Sequence, residues 1–200
     1  MSLTYYKRYR MEARPASFAR RGGSLPDGYR FVAWSGSLVD DHAEAKHESF
    51  RGELDGRVFE CLSRREGCRE LMAKIASKDA FLPEVTWLIE YVAGPHKREP
   101  CGTIQGTRVT PRMGAIHNVG VTPLHRGRGL GAALVVMAMQ GFLQAGVPKV
   151  YLEVTAENEA AVQMYKKLGF RRVRTLYKAV DLGDPVLQAS GSSNRRASSV

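Results

Sequence analysis

The stretch 125-HRGRGLGAALVV-136 places three glycines and two arginines directly before an almost wholly apolar run. It follows a predicted strand at 114–121 and opens a predicted helix at 129–145. Gly146 and Pro148 come next, and this pair is typical of a helix end. Because glycines at a helix N-terminus let backbone amides approach an anion, the stretch predicts a phosphate-binding turn.

Around this turn, the hydrophobic pattern predicts elements in the order β-α-α-β-β-β-α-β-α-β. The predicted strands are 29–34, 86–92, 101–109, 114–121, 149–155 and 170–180, and the predicted helices are 37–50, 64–77, 129–145 and 158–168. Ser37 and Asn158 are predicted N-caps, and Ser63 with Glu66 is a predicted capping box. The order predicts an α+β fold of three layers, with a mixed, mostly antiparallel sheet of six to seven strands and helices on both faces.

The two ends of the chain differ from this central part in composition. Residues 1–24 carry six basic residues and one acidic residue, and the whole chain has a net charge of +10. We interpret 1–24 as a flexible basic arm, 25–181 as one domain and the small, polar segment 182–200 as a disordered tail. The arm also contains Tyr5, Tyr6 and Tyr9, which could stack on bases, so nucleic-acid binding is the alternative for this segment, although we do not expect it.

Composition limits the class of protein further. At 44% hydrophobic residues the chain can bury a core, and the apolar run Leu130–Met139 is too short to span a membrane. The first residues contain no apolar signal-peptide region, so we expect a cytoplasmic protein. The three cysteines form no CxxC pair and the histidines lack a metal-binding spacing, so we expect reduced thiols and no metal site.

Two common phosphate sites fit the glycine-rich turn poorly. Gly127, Gly129 and Ala132 match a dinucleotide fingerprint, with Glu153 at the position of a ribose ligand. However, residues 122–126 separate the strand from the first glycine, and too little chain follows Glu153 for a doubly wound sheet. A nucleoside-triphosphate loop is excluded because no Lys-Ser or Lys-Thr follows these glycines.

A third assignment uses the flanking residues as well. The stretch 119-VGVTPLHRGRGLG-131 resembles the signature of the GNAT superfamily of N-acetyltransferases, with R/Q-x-x-G-x-G/A at Arg126–Gly131. At the expected distance, 151-YLEVTAENEAAVQMYKKLGF-170 is similar to bacterial ribosomal-protein N-terminal acetyltransferases. The order of elements extends the resemblance over 29–180, which implies the GNAT fold.

The resemblance implies acetyl-coenzyme A as the donor substrate, and no metal. The amides of 126–131 would hold its diphosphate, and the strand around Val119 would splay from its neighbour and pair with the pantetheine arm. The N–H of Val119 would donate to the thioester carbonyl oxygen. The implied cofactor-binding residues are Val119, Gly120, Val121, Arg126, Gly127, Arg128, Gly129, Leu130, Gly131, Asn158 and Tyr165.

The resemblance also implies the catalytic groups. Tyr165 would protonate the departing thiolate, although a purely structural core tyrosine is the alternative. Histone acetyltransferases of the superfamily carry a glutamate base at the position of Ala115, which cannot act as one. Glu153 and His117 are therefore the candidate bases, with a bound water or a residue of the acceptor site left open.

In this superfamily the acceptor is selected by the first two helices and their loop, here 38–80. This region includes four acidic residues that could attract a cationic amine or form an ordinary charged surface: Glu48, Glu53, Asp55 and Glu60. The N-terminal portion also resembles mycothiol synthases, but this likeness names no substrate.

We therefore expect an enzyme that transfers an acetyl group from acetyl-CoA to a primary amine of a small molecule or peptide, by direct attack in a ternary complex. The alternatives are a non-catalytic acyl-CoA-binding regulator and a protein N-terminal or lysine acetyltransferase. The sequence leaves open a homodimer and an acyl group longer than acetyl.

Overall fold

The computed structural model describes residues 3–94 and 97–181. Its strands are β1 (Leu3–Ala13), β2 (Tyr29–Ala33), β3 (Trp87–Val92), β4 (Arg98–Thr110), β5 (Met113–Val121), β6 (Val150–Thr155) and β7 (Arg171–Asp181). Its helices are α1 (Val39–Phe50), α2 (Leu54–Val58), α3 (Arg65–Ala76), α4 (Leu130–Gln144) and α5 (Glu159–Lys167).

All seven strands form one sheet in the order β2-β3-β4-β5-β6-β1-β7. Only β5 and β6 run parallel, and every other neighbouring pair is antiparallel. This confirms the predicted mixed, mostly antiparallel sheet and the GNAT fold.

Alternate residues of β4 show that helices cover both faces of the sheet. A Cβ added at Gly102 or Gly106 would meet side chains of α4. Thr103 and Gln105 instead face α1, where the Thr103 hydroxyl lies 2.8 Å from Nδ1 of His42. Since successive strand residues point to opposite faces, α1 and α4 lie on opposite sides of the sheet.

The prediction of a flexible basic arm over 1–24 is wrong for residues 3–13. These residues form β1, which lies between β6 and β7 and pairs with both. Met11 is fully buried in the core and Arg8 is buried on the opposite face. In 8-RYRM-11, basic residues alternate with Tyr9 and Met11 at the period of a strand, a pattern that a count of charges does not reveal. The predicted tail at 182–200 lies outside the described residues.

The first helices start differently from the prediction. α1 begins at Val39 after a 3-10 turn capped by Ser35 rather than Ser37. α3 begins at Arg65 without the predicted capping box, because the hydroxyl of Ser63 donates to the carbonyl of Glu60. The segment between these two helices, for which the sequence predicted no element, contains α2.

The two helices near the glycine-rich turn agree closely with the prediction. Asn158 caps α5 by accepting a hydrogen bond from the amide of Ala161 at 3.2 Å. Gly146 follows α4 with a φ of +69° and Gly169 follows α5 with a φ of +95°. Both glycines stop their helices because the left-handed conformation carries no steric penalty there.

The main core lies between the sheet and the α4–α5 layer. The predicted apolar run of α4 supplies Leu134, Val135, Met139 and Phe142, which are all fully buried. Each such side chain contributes about 1.5–3 kcal/mol through burial. This face therefore anchors α4, whose N-terminus carries the glycine-rich turn. None of the helices within the described ranges has both the length and the apolarity that a bilayer span requires.

Candidate active site

The glycine turn, residues 126–131, opens the N-terminus of α4. Gly127 and Gly129 have φ values of +74° and +80°, and the space where a Cβ would stand is open at both positions. The amide of Arg126 donates to the carbonyl of Pro123, and the next amide hydrogen bond along the chain joins Ala133 to the carbonyl of Gly129. The amides of 127–132 are therefore available to a ligand. The turn thus offers free backbone donors at the positive end of a helix dipole, which suits a diphosphate.

Beside this turn, the sheet opens. β5 and β6 pair only at Gly114–Val150 and Ala115–Tyr151, and the ladder ends there. The rest of β5, which includes Val119, therefore separates from β6, as the sequence predicted. Such a gap exposes backbone donors and acceptors that an extended ligand can use.

β5 is irregular at Asn118. Asn118 has a φ of +50°, and the pairing with β4 shifts register between Thr103 and Gln105. This is a β-bulge, which re-aims the following backbone at Val119. Gly120 is required because a Cβ there would come within 2.7 Å of Cβ of Ser49 on α1.

Two cavities meet in this opening. The first cavity, of about 710 Å³, follows the glycine turn, and the second, of about 690 Å³, lies between the sheet and the α1–α3 segment. The residues that line both cavities, here called the junction, are Phe50, Asp55, Val119, Asn158, Ala161 and Tyr165. A molecule in one cavity can therefore reach a molecule in the other at the junction.

Almost all of the predicted cofactor-binding residues line the first cavity. They are Val119, Gly120, Val121, Arg126, Gly127, Gly129, Leu130, Gly131, Asn158 and Tyr165. Arg128 is not among its lining residues and is exposed to solvent. Leu130 is buried, so its contribution to a ligand would come from its backbone.

Arg126 is hydrogen-bonded within the protein, although its side chain remains 43% exposed. Its guanidinium donates to Glu53 at 2.6 Å, to the carbonyl of Ser49 at 2.9 Å and to the carbonyl of Val121 at 3.1 Å. Arg126 thereby ties the glycine turn to the segment that joins α1 and α2. Its guanidinium is therefore occupied by contacts within the protein.

Tyr165 lies on α5 at the junction and is 6% exposed. Burial, and to a smaller extent the negative charge of Asp55, raises the pKa of the phenol. Its ring packs edge to face on Phe170, with centroids 5.8 Å apart. A raised pKa keeps this hydroxyl protonated at neutral pH, as a proton donor requires.

The two candidate bases both line the second cavity, but in different surroundings. Glu153 lies on β6 and its side chain is exposed. Nε2 of His117 lies 2.9 Å from the hydroxyl of Thr107. Burial, with the positive charges of Lys46 and Lys78, lowers the pKa of His117 to about 4, so the imidazole is neutral at pH 7. His117 is therefore a weak base in this position.

The structure adds a buried side chain that the sequence interpretation did not include. Arg8 of β1 lines the second cavity, donates to the hydroxyl of Thr155 at 2.9 Å and lies 3.6 Å from Oδ1 of Asp55. The period-two pattern of β1 was the signal that could have placed Arg8 on a sheet face. Asp55 itself was grouped with three other acidic residues, and only the fold brings it to the junction.

Comparison with known proteins agrees with this architecture. The Acetyltransferase (GNAT) family matches residues 57–170. Among solved structures, a GCN5-related N-acetyltransferase from Sphaerobacter thermophilus has a TM-score of 0.62 at 20% identity, covering 87% of this chain and 50% of that chain. The ribosomal-protein-S18-alanine N-acetyltransferase from Escherichia coli has a TM-score of 0.55 at 14% identity, covering 78% of this chain and 97% of that one. These likenesses show the fold.

Two curated relatives are similar in sequence. The mycothiol acetyltransferase of Paenarthrobacter aurescens is 48% identical over 175 residues, which are 82% of this chain and 49% of the relative, so the chain spans about half the length of that protein. The N-alpha-acetyltransferase RimI of Mycobacterium tuberculosis is 34% identical over 117 residues, which are 53% of this chain and 72% of the relative. The chain belongs to the GNAT family of acetyltransferases, and membership of this family implies the use of acetyl-CoA.

Proposed function

We propose that this protein transfers an acetyl group from acetyl-CoA to the primary amine of a small molecule, by direct attack within a ternary complex. The observation that carries the proposal is the meeting of two separate cavities at Val119, Asn158 and Tyr165. A donor in the first cavity and an acceptor in the second would place thioester and amine side by side, which removes most of the entropic cost of their encounter.

The donor would be held chiefly by backbone groups. The amides of the glycine turn would bind the diphosphate, and the separated edge of β5 would pair with the pantetheine arm. The N–H of Val119 would donate to the thioester oxygen, where negative charge develops during attack. An oxyanion donor of this kind is worth roughly 3–4 kcal/mol in comparable acyl transfers.

The proton transfers would involve Tyr165 and Glu153. The amine nitrogen attacks the thioester carbon, the C–S bond breaks, and Tyr165 gives its proton to the departing sulfur. Glu153 takes the proton that the acceptor nitrogen must lose, and solvent restores both groups. Glu153 is preferred to His117 because its side chain is exposed at the second cavity, whereas the imidazole is largely buried and hydrogen-bonded to Thr107.

The choice of a small-molecule acceptor has two supports. Mycothiol acetyltransferase, named for a small-molecule product, matches 82% of this chain, whereas RimI matches 53%. The second cavity is also walled by α3 residues, including Leu71 and Ile75, and by the β4–β5 pair. An acceptor of limited size fits such a walled space, although a peptide acceptor is the alternative that the likeness to RimI suggests.

The test is release of free coenzyme A thiol from acetyl-CoA with a panel of amines and short peptides, together with the mass of each product. The proposal predicts thiol release and a gain of one acetyl group on a small amine. Glu153→Gln should lower kcat while leaving the affinity for coenzyme A unchanged. Binding of acetyl-CoA with no release for any acceptor would favour a regulator, and acetylation of peptides alone would favour a protein N-acetyltransferase.

A further inference from the structure

Asp55 occupies a defined place at the junction. It lies in the first turn of α2, and its Oδ1 accepts a hydrogen bond from the hydroxyl of Thr155 at 2.6 Å. The guanidinium of Arg8 lies 3.6 Å from the same oxygen. Arg8 also donates to the carbonyl of Glu153 at 3.0 Å, so this network joins three elements around the second cavity.

The other carboxylate oxygen of Asp55 is open. Oδ2 has no hydrogen-bond partner among the described residues, and it is not one of their enclosed, unpartnered polar atoms. The side chain as a whole is 18% exposed and lines both cavities. One oxygen is thus fixed by the protein while the second is free to accept a hydrogen bond, and the carboxylate is near enough to Tyr165 to help raise the pKa of its phenol.

The fold holds this carboxylate in position before any ligand arrives. A Cβ at Gly56 would lie 2.4 Å from the carbonyl oxygen of Phe50, so only glycine lets α2 pack this closely against the end of α1. The guanidinium of Arg8 is also held in place, because it stacks on the ring of Phe59 at 4.7 Å from the ring centre. Ligand binding therefore loses little conformational entropy at Asp55, which is already ordered.

The surroundings of Oδ1 suit an ionic anchor better than a base. The hydroxyl of Thr155 and the nearby guanidinium of Arg8 already hold Oδ1, so the carboxylate is a fixed partner for a ligand rather than a mobile base. An ionised carboxylate with one open oxygen is a strong acceptor for an ammonium N–H. Glu153, which lines the same cavity and whose side chain is exposed, is left for the proton transfer.

We propose that Asp55 binds the ammonium group of the acceptor, and that the acceptors are aliphatic primary amines, which are protonated at neutral pH. This inference rests on the proposed acetyl transfer. One ammonium N–H donates to Oδ2 of Asp55 and another proton passes to Glu153. The nitrogen lone pair thus freed attacks the thioester carbon as the C–S bond breaks and Tyr165 protonates the sulfur. The nitrogen then loses its second surplus proton to solvent, and solvent also restores Tyr165 and Glu153, so one proton is released for each amide formed.

The test compares isomeric amines that differ in charge, such as 2-phenylethylamine, which is cationic at pH 7, and 4-ethylaniline, which is neutral. Asp55→Asn should raise KM for the cationic isomer by about tenfold or more, because a charged hydrogen bond is lost, and should change KM for the neutral isomer little. The affinity for coenzyme A, measured by calorimetry, should be unchanged. Asp27→Asn, the same change at an exposed position that lines neither cavity, is the matched control and should behave as the wild type.

The outcomes separate this inference from the proposed function. If Asp55→Asn raised KM equally for both isomers, or for neither, the role of Asp55 would be contradicted while acetyl transfer remained in place. The wild type provides an independent readout, since it should show the lower KM for the cationic isomer, and the reverse preference would also contradict the inference. Absence of thiol release by the wild type with every amine would instead overturn the proposed function, and this inference with it.

Discussion

Tyr165 is the residue on which the chemistry of the junction depends most directly. Its hydroxyl is the donor proposed for the departing thiolate, and its burial keeps the phenol protonated across the physiological pH range. Tyr165→Phe should lower kcat by about 10²–10⁴-fold, since a single general acid contributes that much. Steady-state thiol release measures this, and the affinity for coenzyme A should hardly change.

Tyr177→Phe is the matched control for that variant, because Tyr177 is 66% exposed on β7 and lines neither cavity. Its kcat should equal that of the wild type. A Tyr165→Phe enzyme with undiminished kcat would mean that the thiolate leaves without help from this hydroxyl, and that the tyrosine serves only the core.

Lys46 provides a second prediction about a single residue, in this case for stability. It is fully buried on α1, and its Nζ lies 3.8 Å from Sδ of Met72, a weak acceptor. Burial lowers the pKa of Lys46 from 10.5 to about 8, so folding pays a penalty for the charged form. Lys46→Met should raise the free energy of unfolding at pH 7 by roughly 1–3 kcal/mol.

The stabilisation gained by Lys46→Met should depend on pH. Below pH 8 the amine is charged in both the folded and the unfolded chain, so the full penalty is present. Between pH 8 and 10.5 the folded chain loses its proton first, so the penalty, and with it the advantage of Lys46→Met, should shrink. Denaturant unfolding at several pH values measures the difference. Lys74→Met, at an exposed position on α3, should produce no comparable gain.

At the scale of single elements, the glycine turn depends on backbone conformation. Gly129 stands at the N-cap of α4 with a φ of +80°. Gly129→Val should cost about 1–2 kcal/mol of stability, because a β-branched residue is strained in the left-handed region. It should also weaken binding of coenzyme A, since the new side chain would occupy the open space of the turn. Thermal unfolding and calorimetry test the two effects.

Gly22→Ala is the control for this substitution, because that glycine has no positive φ and no neighbour within 4 Å of an added Cβ. It should change neither stability nor binding. If Gly129→Val bound coenzyme A with the affinity of the wild type, the turn could not be the site of the diphosphate.

The elements that the sequence predicted best are those whose signals are local. α4 is an almost wholly apolar run and α5 has a periodic apolar face, and each ends at a glycine, so these signals are properties of neighbouring residues. The predicted capping box at Ser63 does not form, because the Ser63 hydroxyl donates to the carbonyl of Glu60 instead. This carbonyl is brought close by a turn that the sequence did not predict. α2 is only five residues long and depends on contact with the end of α1, so no periodic pattern could indicate it.

At the scale of the whole molecule, β1 decides whether the N-terminal segment belongs to the sheet. Met11 on this strand is fully buried in the main core. Met11→Asp should therefore lower the free energy of unfolding by about 3 kcal/mol or more, since a carboxylate would be buried without a partner. Tyr5→Asp changes a residue on the same strand that is 63% exposed, and it should have a small effect. Equal and small effects of both changes on chemical denaturation would contradict the placement of β1.

The candidate site was predictable only as far as its motifs extend. The glycine turn, Val119, Asn158 and Tyr165 lie within two contiguous motifs, and the fold brings these motifs together at the gap between β5 and β6. Arg8 and Asp55 lie about a hundred residues or more from their partner Thr155, so only the pairing of β1 with β6 and the packing of α2 make them neighbours. No local pattern encodes such distant contacts.

The central claim is that the backbone amides of the glycine turn bind the diphosphate of an acyl-carrying coenzyme A. Isothermal titration calorimetry of the wild-type protein with coenzyme A, and separately with NAD, tests it most directly. The structure predicts saturable binding of one coenzyme A per chain and no binding of NAD. Binding of NAD together with indifference to coenzyme A would contradict the claim.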